Sequence, residues 1–197
     1  MSSTKQRIID AAINLFSKNS FDNVSMRDIA GEVGIKAASI YNHFSSKRDI
    51  LNKLYELYTA GFYKIMPNVK ELLLLLETEP IQNILPKLEF YWPPHLQDRM
   101  GRILLIATRR IHLDKESELF VQKHLFNALR GLWVPFLNRA IELGKIEPID
   151  VDSFLYLITY YTFSSAELHF NTMMKSGIED WKKVIAMIFS LLKPINN

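Results

Sequence analysis

Between Ser25 and Lys47, two short runs of apolar residues at helical spacing stand on either side of one glycine, Gly34. Ile29 and Val33 lie four apart and so share one face of a helix. Ser25 followed three residues later by Asp28 resembles a capping box, with Asp in place of the usual Glu or Gln. Gly34 suits the left-handed conformation that closes such a helix. Ile35, Ile40 and Phe44 then give the next segment an inward side and leave Lys36, Ala37, Ser39 and Asn42 on or near the outward side. Helix, tight turn, helix is the arrangement in which one helix braces another against the major groove of DNA.

The side chains on the outward side have the chemistry for that task. The small residues Ala37 and Ala38 let the backbone approach a groove closely. Ser39 and Asn42 can hydrogen-bond base edges, and Asn suits adenine. Arg27 and Lys36 are the further candidate base readers, with Ser25 beside them. Tyr41, His43 and Lys47 are candidates for phosphate contacts, which fix register and carry no base information. Upstream, Ile8, Ala12, Leu15 and Phe16 fall on one stripe, with Ile9 and Ile13 beside them, and Phe21 and Val24 follow as an apolar clasp. Three helices are expected, at about 5–18, 25–33 and 36–43, around one small core.

These residues resemble the amino-terminal domain of the TetR family of transcriptional regulators. The resemblance rests on Ala11-Ala12-Ile13-Asn14-Leu15-Phe16, then on Phe21-Asp22-Asn23-Val24-Ser25-Met26-Arg27-Asp28-Ile29-Ala30. It continues in Val33-Gly34-Ile35, Ser39-Ile40-Tyr41-Asn42-His43-Phe44, and Ser46-Lys47 ahead of Ile50-Leu51. It covers about the first quarter of the chain. Three departures stand out. Where the family usually has Gly before the aromatic, this chain has Ser20, and Asn19 is expected to supply the turn. The recognition helix opens on Lys36 in place of a Ser or Thr cap, and Ala37 replaces the usual Lys, Arg or Pro. The resemblance implies a homodimer on a double-stranded DNA operator, a small-molecule effector pocket in the body, and a four-helix dimer interface.

Charge divides unevenly. Residues 1–53 hold eight Lys or Arg against five Asp or Glu, while the remainder of the +3 chain is balanced. The positive excess sits on the segment that would meet phosphates. There is no cysteine, which excludes thiol catalysis and disulfides. No apolar run approaches the roughly 20 residues of a membrane span, so no membrane partner and a cytoplasmic location are expected. The five histidines, His43, His95, His112, His124 and His169, form no HExxH or paired pattern, and no phosphate-binding glycine motif is present. No enzyme, metal or cofactor is expected.

The body, residues 48–197 behind a head at 1–47, reads as helical throughout, so the fold class is all-α. Helices are expected from about 46 toward Gly61, at 68–77, 81–91, 96–112, 116–142 with a kink at Pro135, 152–175 capped by Asp150 or Asp152, and 179–192. Arg109, Arg110 and Lys115 read as a solvated face. The aromatic content makes an apolar effector cavity plausible. Trp133 and Phe136 are candidate walls, with Trp92 and His112. The last two helices carry stripes at helical spacing: Phe154, Ile158, Tyr161 and Ser165 on one, Trp181, Ile185, Ile188 and Leu192 on the other. These are expected to form the dimer interface, broken by a charge at Ile188. The expected function is a sequence-specific repressor released from its operator by a small apolar or aromatic ligand. An activator, or a regulator without a ligand, is the alternative. An all-α enzyme is the reading of another class, and the missing catalytic cluster argues against it.

Overall fold

The structure, a computed structural model, describes residues 3–89, 99–170 and 177–195, without the side chains of residues 65, 87, 89, 162, 165–170 and 177–182. Eleven α-helices follow in order among the described residues: α1 Thr4–Asn19, α2 Met26–Val33, α3 Ala37–Ile40, α4 Lys47–Ile65, α5 Val69–Thr78, α6 Ile81–Glu89, α7 Arg99–Thr108, α8 Lys115–Val121, α9 Asn127–Glu142, α10 Val151–Phe170 and α11 Gly177–Ser190. A π-helical turn, Gln122–Phe126, joins α8 to α9. The only extended pairing among the described residues is one antiparallel bridge between Ile146 and Pro194. The chain is all-α, as its periodicity implies.

The helices gather into two compact units, 1–64 with 97–120, and 65–96 with 121–197. The first unit is wider than the 1–47 segment, because α4, α7 and the chain after α7 pack with the head. Its core is the inward stripe of α1 (Ile8, Ile9, Ala12, Ile13, Phe16), with Ile29 and Val33 of α2, Ile40, Phe44, and Ile50, Leu51 and Leu54 of α4. Each of the Ile, Val, Leu and Phe side chains contributes about 1.5–3 kcal/mol when fully buried. The second unit buries Leu72 and Leu76 of α5, Ile81 and Ile84 of α6, and much of α9.

Two elements differ from expectation. The helix expected over 36–43 is one turn, Ala37–Ile40, because the backbone after it changes pattern. Asn42 N–H reaches the Ser39 carbonyl at 3.3 Å and His43 N–H the Ile40 carbonyl at 3.0 Å, both three residues back. The long helix expected over 116–142 is divided by the π-turn. α9 continues through Pro135, whose missing N–H falls opposite Gly131. The start of α10 follows expectation: Asp150 Oδ1 accepts from the N–H groups of Asp152 and Ser153, both at 3.1 Å.

A candidate nucleic-acid interface

α2 is fixed at both ends by local chemistry. Ser25 N–H donates to Asp28 Oδ2 at 2.8 Å, and Asp28 N–H donates back to Ser25 Oγ at 3.2 Å. The Ser25 hydroxyl also donates to Asp28 Oδ2 at 2.7 Å. That hydroxyl, then the N–H, holds the Asp28 carboxyl below its ordinary range. Both donors of Ser25 are therefore spent inside the cap, which leaves it none for a phosphate. At the other end Gly34 takes φ 74°, a left-handed conformation open to glycine, and Ile35 N–H reaches back to the Ala30 carbonyl at 3.0 Å. The Arg7 guanidinium donates to the Val33 carbonyl and ties α1 to this end.

The turn and α3 present a divided surface. Ile40 and Phe44 are buried, while Arg27, Lys36, Ala37, Ala38, Tyr41, Asn42 and His43 are exposed and Ser39 is half-buried. Three of the expected base readers, Lys36, Ser39 and Asn42, and two of the expected phosphate groups thus share one largely exposed, cation-bearing stretch, with no acidic side chain between Lys36 and Lys47, while Arg27 stands on α2. Lys36 caps α3 by position only, without a side-chain hydrogen bond, so the helix starts on a free basic side chain.

Lys47 is placed differently from the other candidates. Its Nζ donates to the carbonyls of Phe21, at 2.6 Å, and Asp22, at 3.3 Å, and lies 4.4 Å from the centre of the Phe21 ring. Burial lowers its pKa. Its ammonium is occupied as a latch on the α1–α2 loop, with one of its three donors left over.

The same loop holds two findings that the sequence pattern missed. Ser20 itself adopts φ 66° and ψ 152°, so the turn expected from Asn19 is made one residue later. Asn19 stays in α1. Arg110, read as part of a solvated face, is 5% exposed. Its guanidinium pairs with Asp22 at 2.7 Å and Asp114 at 2.8 Å, and stacks 4.2 Å from the Phe21 ring centre. Burial alone would lower its pKa, but the two carboxylates outweigh that and raise it. Phe21 at the loop was the available signal, since a ring there invites cations, but nothing in the spacing names the partner at 110.

Of the residues expected at an effector pocket, Trp133 and Phe136 are buried together in the second unit. Trp133 is 3% and Phe136 0% exposed, and they pack edge-on at 5.9 Å. Trp133 also meets Phe154 at 5.9 Å and Phe189 at 5.4 Å, so these rings are core. His112 is exposed in the turn after α7 and belongs to the first unit. Trp92 lies outside the described residues. A cleft of about 170 Å³ does open on the second unit, between the start of α9 and α10, lined by Phe126, Asn127, Arg130, Asp152, Leu155, Tyr156, Thr159 and Tyr160.

The expected interface stripe is likewise turned inward. Phe154, Ile158, Ile185, Ile188 and Leu192 are 0–6% exposed within the single chain, so they have no surface to give a partner. Tyr161 is half-buried, and the side chains of Ser165 and Trp181 lie outside the description. The large apolar side chains that lie exposed among the described residues of the same two helices and the turn after them are Tyr156, Leu157, Tyr160, Met187 and Leu191.

Among the described residues no helix is long and apolar enough to cross a membrane, and no group of three or more His, Cys, Asp or Glu could hold a metal ion.

Comparison with known proteins bears on the whole arrangement. Residues 8–54 match the model for bacterial regulatory proteins of the tetR family. The uncharacterized HTH-type transcriptional regulator YerO of Bacillus subtilis is 32% identical over 111 residues, 56% of this chain and 37% of that protein. The HTH-type negative transcriptional regulator IcaR of the biofilm operon icaADBC of Staphylococcus aureus is 52% identical over 46 residues, 23% of this chain and 25% of its own length. The matched stretches thus span well under two thirds of either relative. Among solved structures, a tetR-family bacterial regulatory protein from Rhodococcus RHA1 superposes over the whole of both chains with a TM-score of 0.71 at 13% identity. A transcriptional regulator from Saccharomonospora viridis, solved with choline, covers 98% of both chains at 0.70 and 16%. At these identities the likeness is one of fold. The matched family and these neighbours are regulators, not enzymes.

Proposed function

We propose that this chain, which belongs to the TetR family of transcriptional regulators, binds an operator on double-stranded DNA as a homodimer and represses transcription until a small apolar or aromatic ligand releases it. The observation that carries the reading is the exposed stretch around α3. Lys36, Ala37, Ala38, Tyr41, Asn42 and His43 face solvent over a buried Ile40 and Phe44, directly after a doubly capped α2. A helix so braced can enter a major groove with Asn42, Ser39, Lys36 and Arg27 toward the bases and with Tyr41 and His43 toward phosphates. IcaR, which shares 52% identity over this region, is by name a negative regulator, and that favours repression.

The effector site we propose is the α9–α10 cleft. Its 170 Å³ is close to the roughly 150 Å³ of engineered protein cavities that bind benzene. Leu155 and Thr159 are buried, and Tyr156 and Tyr160 stack at 6.1 Å at its edge. One neighbour by fold was solved with choline and another is a gamma-butyrolactone receptor, so ligands of this small size suit the architecture. A ligand releases DNA only by its differential affinity for the two states of the protein.

The test is a mobility-shift titration on the DNA upstream of the chain's own gene at fixed salt. The wild type should shift it. Asn42→Ala should lose discrimination at particular bases by about 1–3 kcal/mol while retaining general affinity. Equal binding to that DNA and to unrelated DNA would defeat the reading.

A further inference from the structure

Arg110 has no part in reading DNA, yet it is the most enclosed charged side chain among the buried residues of the first unit. It holds two carboxylates at once. Nη1 meets Asp22 at 2.7 Å, while Nη2 and Nε meet Asp114 at 2.8 and 3.0 Å. Asp114 also caps α8, accepting from the N–H and the hydroxyl of Ser117, both at 2.9 Å, and pairs with Arg48 at 3.3 Å. The Ser117 hydroxyl is 2.8 Å from that of Tyr55, inside α4. On the other side Asp22 lies three residues before Ser25, the cap of α2. A continuous polar chain therefore runs from the start of α8 to Asp22, in the loop that leads into α2.

Stability alone is a poor account of this arrangement. A buried ion pair often contributes less than apolar side chains of the same volume, while removing one partner strands a desolvated charge. What such a pair does supply is a fixed register between the parts it joins. The loop it grips needs one, since Ser20 sits in a strained conformation and the Phe21 ring is packed under three cations, Lys47, Arg48 and Arg110.

We propose that Arg110 is a positioning residue for DNA binding. Its two-sided clamp fixes Phe21 and Asp22, and through them the entry of α2, in the geometry that presents α3. A displacement of the α8 cap that loosens Asp114 from Arg110 lowers operator affinity without touching the DNA-reading surface. At 5% exposure Arg110 has no face to offer a phosphate. This rests on the DNA-binding reading above.

The experiment uses a duplex selected by the wild type from a random-sequence pool. It is titrated at several salt concentrations against the wild type, Asp22→Ala, Arg110→Lys and the double variant, with the folded fraction of each measured by thermal unfolding in the same buffer. Asp22→Ala removes a negative charge from the head, so Coulomb attraction alone would tighten binding. Loss of positioning does the opposite. We expect about tenfold weaker binding by Asp22→Ala with the salt slope unchanged, and little further loss in the double variant because both changes break one clamp. The Asp22 side chain is 60% exposed, so this variant folds even where a change at Arg110 does not. Binding by Asp22→Ala as tight as that of the wild type, or a loss accounted for by the unfolded fraction, overturns the inference alone. A wild type that selects no duplex overturns the DNA-binding reading itself.

Discussion

At Ser20 the backbone holds φ 66° and ψ 152°, a region that costs a residue with a Cβ on the order of 1–3 kcal/mol. A glycine there would carry no such strain but would gain freedom in the unfolded chain, worth about 0.4–1 kcal/mol in the other direction. The balance predicts that Ser20→Gly stabilises the protein by about 1 kcal/mol, seen as a higher midpoint of thermal unfolding. A midpoint at or below that of the wild type would show that the loop relaxes the strain in another way. Sequence alone located the turn but assigned it to Asn19, because Asn tolerates left-handed backbone better than Ser does. What decides the matter is outside the local sequence. Phe21 must point into the core against Phe16, at 5.0 Å and near edge-on, and Asn19 remains within α1. Arg110 escaped detection for the same reason. Two adjacent arginines look alike in a sequence, and only the fold puts Asp22 and Asp114 on either side of one of them.

Element boundaries were legible where caps are local and illegible where packing sets the hydrogen-bond pattern. Ser25 with Asp28, Gly34 and Asp150 each act within a few residues, and each sits where the sequence puts it. The π-turn at Gln122–Phe126 leaves no such trace, since it differs from α-helix only in which carbonyl each N–H finds. It brings His124 into the interior at 3% exposure. Burial, with Lys123 adding to it, pushes the imidazole pKa down from 6.5 to about 4. The unfolded chain therefore binds a proton that the folded chain refuses between those values. Stability should be fully present above pH 6.5 and should decline as pH falls toward about 4, by up to about 3 kcal/mol. Denaturant melts of the wild type and of His124→Gln at pH 7 and pH 4.5 measure it. The wild type should lose more than the variant over that interval, and an equal loss would exclude His124 as the source.

For the whole molecule, periodicity points to α10 and α11 as the apolar helices but does not tell which of their faces are buried. Both sides of α10 and α11 are apolar at helical spacing, so periodicity finds two stripes and cannot rank them. The structure ranks them by exposure. Phe154, Ile158, Ile185, Ile188 and Leu192 face the chain's own core. Tyr156, Leu157 and Tyr160 on α10, Met187 on α11 and Leu191 just beyond it remain 43–64% exposed. Large apolar side chains left open at the end of the chain are candidates for cover by a second copy. We therefore propose the dimer interface at Leu157, Met187 and Leu191, leaving Tyr156 and Tyr160 to the α9–α10 cleft, with the two-fold axis setting half-sites about 34–36 Å apart or a multiple of that. A charge at Ile188 becomes the wrong test, because at 1% exposure it would unfold the body before it parted a dimer. The informative changes are Met187→Glu and Leu191→Glu, which sit on exposed positions away from the α9–α10 cleft. Sedimentation velocity should show a dimer for the wild type at micromolar concentration and a monomer for the double variant. The helical signal in circular dichroism should match, and operator affinity should fall steeply, because each head then binds its half-site alone. A double variant that sediments as the wild type does would move the interface elsewhere, and a monomeric wild type would remove the dimer altogether.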